Sequence, residues 1–147
     1  MGGIALDPKR PLKAQVVAAG QSFVEFEAAR LAFQTGLYAE SEQRFLSALR
    51  AGADEVVCRL YLARVCNNLK NWSSALEQWM WLRDRDETQL EPQLQVARAL
   101  MRLGQHSDAV VEFRRLLQSA PDHAEARHHL AQLELELAKT AFKIKDY

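Results

Sequence analysis

Cysteine is nearly missing from this chain, with only Cys58 and Cys66 in 147 residues. They stand eight apart in what reads as one helix, so their Cα atoms lie about 12 Å apart, beyond disulfide reach. A disulfide-stapled secreted scaffold is thereby excluded, and two free thiols point to a reducing, cytoplasmic setting. Residues 1–8 (MGGIALDP) hold no apolar secretory core, and Leu6 stands where a myristoylation signal needs Ser or Thr. No apolar run approaches the roughly 18 residues that a membrane span needs. Four prolines and six glycines are too few for a disordered or low-complexity chain. Charge of one sign is also lacking: 19 Lys+Arg balance 19 Asp+Glu, which disfavours both a basic nucleic-acid footprint and a polyanionic tail. Runs rich in Val, Ile and Thr, the mark of strands, are missing.

What is present is alanine (22) and leucine (21), a strong helix-former bias, and 48% hydrophobic residues, enough to bury a core. The length suits one all-α domain. Sliding the sequence on itself by 34 residues aligns Ala29, Ala63, Ala97 and Ala131 without gaps. It also aligns Ser41 with Ala75 and Ala109, Phe45 with Trp79 and Phe113, and Ala48 with Leu82 and Leu116. Small residues recur where two helices come close, and large aromatics recur four residues later on the same face to fill the gap.

Breaks fall at Thr35-Gly36-Leu37-Tyr38, Leu69-Lys70-Asn71-Trp72 and Leu103-Gly104-Gln105-His106. Gly36 and Gly104 suit a left-handed helix end, and Ser41, Ser73 and Asp108 lie early in the helices that follow. Pro92 and Pro121 are expected where helices begin, the one part of a helix that tolerates proline. The unit is therefore helix, short turn, helix. A 34-residue helix-turn-helix unit with these small and aromatic positions resembles the tetratricopeptide repeat (TPR) family. The resemblance implies a right-handed α-solenoid of three repeats, 22–53, 56–89 and 90–123, with an N-terminal arm or helix extension over 1–21 and a capping or partial-repeat helix over 124–147. The family's leading Trp is replaced by Glu25, Arg59 and Gln93, and its closing Pro survives only as Pro121.

At the N-terminal end Leu12, Val16, Ala19, Phe23 and Phe26 fall at helical spacing, so this segment either extends the first repeat helix or folds back over a groove. At the other end Leu130, Leu133, Leu137, Ala138, Ala141 and Ile144 form the expected inner stripe, while Leu135 and Phe142 point elsewhere. Phe142 to Tyr147 resembles the approach to another turn, which suggests a longer repeat protein or a self-association surface. Trp72 and Trp79 belong to the core ladders, whereas Trp81, beside Met80, is off the ladder and a second place for self-association.

Enzyme motifs are missing: no HExxH, GxSxG, CxxC or Gly-rich phosphate loop. Adjacent His128 and His129 diverge by about 100° on a helix and cannot share a metal. Asp122 and His123 suit a cap better than a metal site. Cys58 or Cys66 as a nucleophile needs a cationic neighbour, and a packing role is the plainer reading. No cofactor, metal or catalytic residue is expected.

The resemblance implies that the first helix of each repeat lines a concave groove. Its residues are then Phe23, Phe26, Arg30 and Phe33, followed by Leu60, Tyr61, Arg64, Asn67 and Asn68, and then Leu94, Gln95, Arg98, Met101 and Arg102. Arg30, Arg64 and Arg98 recur 34 apart. A guanidinium offers a planar donor fork to carboxylates, and aromatic, Met and Arg enrichment is typical of interface cores. The alternative is solvated arginine paired with Glu25, Glu27 or Glu91. Some family members hold the acidic C-terminus of chaperones in a clamp of Lys and Asn residues; here its places are taken by Phe26, Arg30, Tyr61, Glu91 and Gln95, which disfavours it. The expectation is a non-catalytic adaptor that binds a short acidic or amphipathic peptide of another protein, with no nucleic acid and no membrane insertion. The alternative is the repeat region of a larger enzyme, for example a transferase, that recruits partner or substrate.

Overall fold

The computed structural model describes residues 8–145 and forms α1 (Leu12–Gln34), α2 (Tyr38–Arg50), α3 (Glu55–Asn68), α4 (Trp72–Arg85), α5 (Leu90–Arg102), α6 (His106–Ser119) and α7 (Ala124–Lys145). No strand occurs among the described residues. The readings made on residues 1–7, on Asp146 and Tyr147, and on the side chain of Ile144 lie outside them.

The 34-residue interval appears in where helices stop and restart. α1, α3 and α5 end at Gln34, Asn68 and Arg102, and α2, α4 and α6 begin at Tyr38, Trp72 and His106. Each stop has the same pair of backbone bonds. Leu37 N–H donates to Ala32 O (2.8 Å) and Gly36 N–H to Phe33 O (3.1 Å); Asn71 and Lys70 repeat this onto Cys66 and Asn67, and Gln105 and Gly104 onto Leu100 and Met101. This motif satisfies carbonyls that the helix end would otherwise leave open, and it needs one residue at positive φ. Glycine fills that position at Gly36 (φ 79°) and Gly104 (φ 77°), but Lys70 (φ 58°) fills it in the middle turn. A side chain in the left-handed region costs about 1 kcal/mol or more. Lys70→Gly is therefore expected to stabilise the chain by about 0.5–1 kcal/mol, read as a raised urea midpoint at unchanged slope.

The chain divides between Asn71 and Trp72 into two compact units, one holding α1 to α3 and the other α4 to α7. The length alone suggests one domain, but repeats contact mainly their neighbours, so a turn can part them. In the first unit Ala29, Phe45, Leu62 and Val65 form the core. The ring of Phe45 stacks on Tyr61 (centroids 4.8 Å apart), and Phe26 meets both edge-on at 5.7 and 5.9 Å. Ser41 is not a cap: its buried hydroxyl donates to Ala29 O at 2.9 Å and ties α2 to α1. In the second unit Trp79 and Phe113 are fully buried, with Ala75, Ala97 and Ala109 as the small partners that let the helices approach.

Residues from Leu12 onward continue the first repeat helix, and Leu12, Val16 and Phe23 are exposed along it. α1 is about 34 Å long and α2 about 20 Å, so α2 cannot cover it. In α7 Leu133 is buried and Leu130 and Leu137 are half-buried, but Ala138 and Ala141 are exposed, because α7 outruns α6 by about 12 Å. Trp81 is half-buried with the Arg85 guanidinium 4.9 Å over its ring, so the exposed apolar side chain there is Met80. Pro92 lies in the first turn of α5 as expected, while Pro121 lies in the turn after α6.

Candidate functional site

The N-terminal half of α1 faces the α2–α3 turn across an open apolar cavity of about 320 Å³. Ala19, Ser22, Phe23 and Phe26 form one wall; Gly52, Ala53, Asp54 and Val57 form the other. The second wall is held by α3's own start, where the Asp54 carboxylate accepts the Val57 N–H at 2.9 Å. That bond supplies one orphan donor of the helix and fixes the turn residues beside it. Phe23 is 66% exposed at the mouth, a large apolar surface left open to water. Arg30 lies seven residues further along the same face, about 10 Å away. Its guanidinium donates through Nη2 to Glu27 Oε2 at 2.7 Å, and this pair stands at the surface.

The structure separates the sequence-chosen groove residues into different roles. Phe26, Phe33 and Tyr61 are half-buried and packed against the Phe45 core, because a ring is long enough to reach inward from a helix flank. Asn68 is spent on its own helix, donating to Arg64 O at 2.8 Å. Arg64 and Asn67 are half-buried on α3. In the second unit Arg98 donates through Nε to Glu125 Oε1 at 2.7 Å and through Nη2 to the same oxygen. Arg102 lies 5.4 Å over the Trp72 ring, and Gln95 and Met101 are half-buried on α5. Of the acidic partners considered for these arginines, Glu27 takes Arg30, whereas Glu25 takes Arg44 at 3.4 Å. The pairing with Glu125 joins residues on two helices and is invisible in local spacing.

The Arg98–Glu125 pair has a pH consequence. The hydrogen bond from Arg98 holds the Glu125 carboxyl below the ordinary carboxylate range, against its partial burial, and the Arg98 charge and His129 add to this. A carboxyl lowered by folding stabilises the fold above its unfolded pKa and loses that contribution as pH falls through the folded value. Glu125→Gln is expected to lower Tm at neutral pH, with the gap to the native chain closing as pH falls toward about 2.

Burial, with Asp54 nearby, pushes the Cys58 thiol up to about 11, which keeps it out of the thiolate form a nucleophile needs. Cys66 donates to Glu42 Oε2 at 3.7 Å. His123 accepts the Ala126 N–H through Nδ1 at 3.1 Å and caps α7, while His129 packs on Phe113 at 5.6 Å. Among the described residues no three His, Cys, Asp or Glu side chains are grouped to hold a metal ion, and no helix is long and apolar enough to cross a membrane.

Sequence reasoning missed two features. Gly52 and Ala53 lie in the α2–α3 turn and Val57 in the first turn of α3, off the faces that helical spacing singles out. A polar cavity of about 360 Å³ in the second unit was missed as well, where Arg83, Gln93 and Arg115 converge. There Arg83 meets Glu112 at 3.1 Å, and Gln93 donates to Glu87 O at 2.6 Å from a buried position. A glutamine at the family's Trp position was the available signal.

The helices of the described residues, with a recurring turn motif at a 34-residue interval, define a helical-repeat protein, and its fold is that of the tetratricopeptide repeat. Residues 90–133 match the tetratricopeptide repeat family model. The fold is similar to that of YrrB, a TPR protein with an unusual peptide-binding site, at TM-score 0.72 and 21% identity. That likeness covers 86% of this chain and 65% of YrrB, so the chain spans a little under two thirds of YrrB's length. It is also similar to the first TPR of Spaghetti (RPAP3) bound to the HSP90 peptide SRMEEVD (TM-score 0.62, 19% identity, 81% of this chain and 97% of that one). The second TPR domain of human RPAP3, in complex with the HSP70 peptide SGPTIEEVD, is similar at TM-score 0.63 and 15% identity, over 80% of this chain and 98% of that one. No curated protein sequence matches the chain.

Proposed function

We propose that this chain is a non-catalytic adaptor that binds a short amphipathic peptide of another protein in its first unit. The observation that carries the reading is the open apolar cavity between α1 and the α2–α3 turn, with Phe23 exposed at its mouth. Such a cavity accepts one apolar anchor side chain, and burial of Phe23 and Val57 against it supplies affinity. Arg30, two turns along, then meets an acidic group of the same peptide and sets register. In the second unit Arg98, Arg102, Gln95 and Met101 offer α5 as a further peptide contact. Arg98 is the weaker recruit there because Glu125 already takes its guanidinium. Peptide complexes of the RPAP3 domains support a peptide as the ligand class. The chaperone-tail specificity of those peptides is not carried over, because Phe26, Tyr61 and Gln95 stand at the clamp positions. The free thiols Cys58 and Cys66 fit a reducing cytoplasm.

The test is selection from a random peptide library against the native chain. Enriched peptides are expected to carry an apolar residue within a few positions of an acidic one. Phe23→Asp is expected to remove their binding, and Arg30→Glu to weaken it about tenfold. Enriched peptides that bind both variants as well as the native chain would rule the cavity out.

A further inference from the structure

The cavity uses one side of α1 and leaves another side bare. Along that second side stand Lys13, Val16, Gly20, Val24 and Glu27, with Val17 on its flank, and Val16, Val17 and Val24 are each 60% or more exposed. At 100° per residue these five lie within about 80° of arc, centred roughly 110° around the helix from the cavity wall. Their spacing, 3-4-4-3, is the same read in either direction from Gly20. The charge pattern is not: the segment from Pro8 to Val24 carries Lys9, Arg10 and Lys13 with no acidic residue, and Glu25 and Glu27 follow.

Gly20 is the second observation. A glycine within a helix weakens it relative to alanine, so it calls for a reason. A Cβ built on Gly20 meets nothing within 4 Å, so no packing among the described residues requires the missing side chain. Missing side chains allow helix axes to approach closely, and no described helix uses that freedom at Gly20.

We propose that α1 is a homodimer interface in which a second copy of the chain packs antiparallel on this stripe, crossing Gly20 to Gly20. The register follows from the palindrome. Val16 of each copy lies against Val24 of the other, and Lys13 of each lies opposite Glu27 of the other. The two-fold arrangement is isologous, so one stripe satisfies itself twice, and it brings the basic end of each helix to the acidic stretch of its mate. A parallel pairing would instead set Lys13 against Lys13 and Glu27 against Glu27. Glu27 keeps a second carboxylate oxygen for this contact beyond the one on Arg30.

Sedimentation equilibrium of the full chain is the test, at concentrations from about 1 to about 500 µM. The native chain is expected to dimerise. Lys13→Glu and Glu27→Lys are each expected to weaken the dimer about tenfold or more, with helix content unchanged by circular dichroism. Mixed together, the two single variants form complementary heterodimers and are expected to recover association, as is the double variant on its own. Gly20→Leu is expected to abolish the dimer while the monomer keeps its fold, since the position is open. A native chain that stays monomeric throughout overturns the proposal, and so does a dimer indifferent to all of these changes. A monomer that instead binds vesicles of phosphatidylserine and phosphatidylcholine would make the bare basic helix a membrane-surface element and would overturn it equally.

Discussion

Phe45→Ala is expected to destabilise the first unit by about 3–5 kcal/mol, a large share of what a domain of this size has. Phe45 is fully buried and is the hub on which Tyr61 stacks and Phe26 closes edge-on. Its removal leaves a void among rings that cannot collapse onto it, since Ala29 is fixed on α1 and Leu62 and Val65 on α3. Urea unfolding followed by circular dichroism measures the loss. Trp72, Trp79 and Trp81 all belong to α4, so tryptophan fluorescence follows the second unit in the same samples.

The second large effect concerns Trp79, and its interest lies in the contrast between two substitutions. Trp79→Ala is expected to cost about 3–5 kcal/mol, because the side chain is fully buried. Trp79→Phe is expected to cost less than about 1.5 kcal/mol. Phenylalanine stands at the matching positions 45 and 113, so the repeat geometry accommodates it. The indole Nε1 is also buried without a hydrogen-bond partner among the described residues, a cost that phenylalanine relieves. Equal losses from the two substitutions, measured by the same urea titration, would show that the repeat register does not describe the packing at this position.

The architecture was legible because it is written periodically. Ala29, Ala63 and Ala97 are all fully buried, as are Phe45, Trp79 and Phe113, and the helix ends keep the 34-residue interval. Periodicity reports which face of a helix turns inward, but not how far a neighbour extends along it. That is why the inner stripe of α7 was expected to run on through Ala138 and Ala141, which are exposed. Face arithmetic also treats a side chain as a direction without length, so Phe26, Phe33 and Tyr61 were assigned outward although their rings reach the core. The candidate site was half legible. Phe23 and Arg30 could be read from helical spacing, but Gly52 and Ala53 enter the cavity through the course of a turn, and Val57 from the first turn of α3 that this turn positions. Ser41 shows the same limit: its position early in α2 suggests a cap, while its hydroxyl answers a carbonyl on α1 twelve residues back.

The central claim is that the cavity beside α1 is where a peptide docks. Its most direct test is an amide chemical-shift titration of the isotopically labelled full chain with a peptide enriched from the library. The account predicts that the largest shifts fall on Ala19, Ser22, Phe23 and Phe26 and on Gly52 to Val57, and that Phe23→Asp removes them. Largest shifts on α7 or α4, with the cavity residues unmoved, would contradict it.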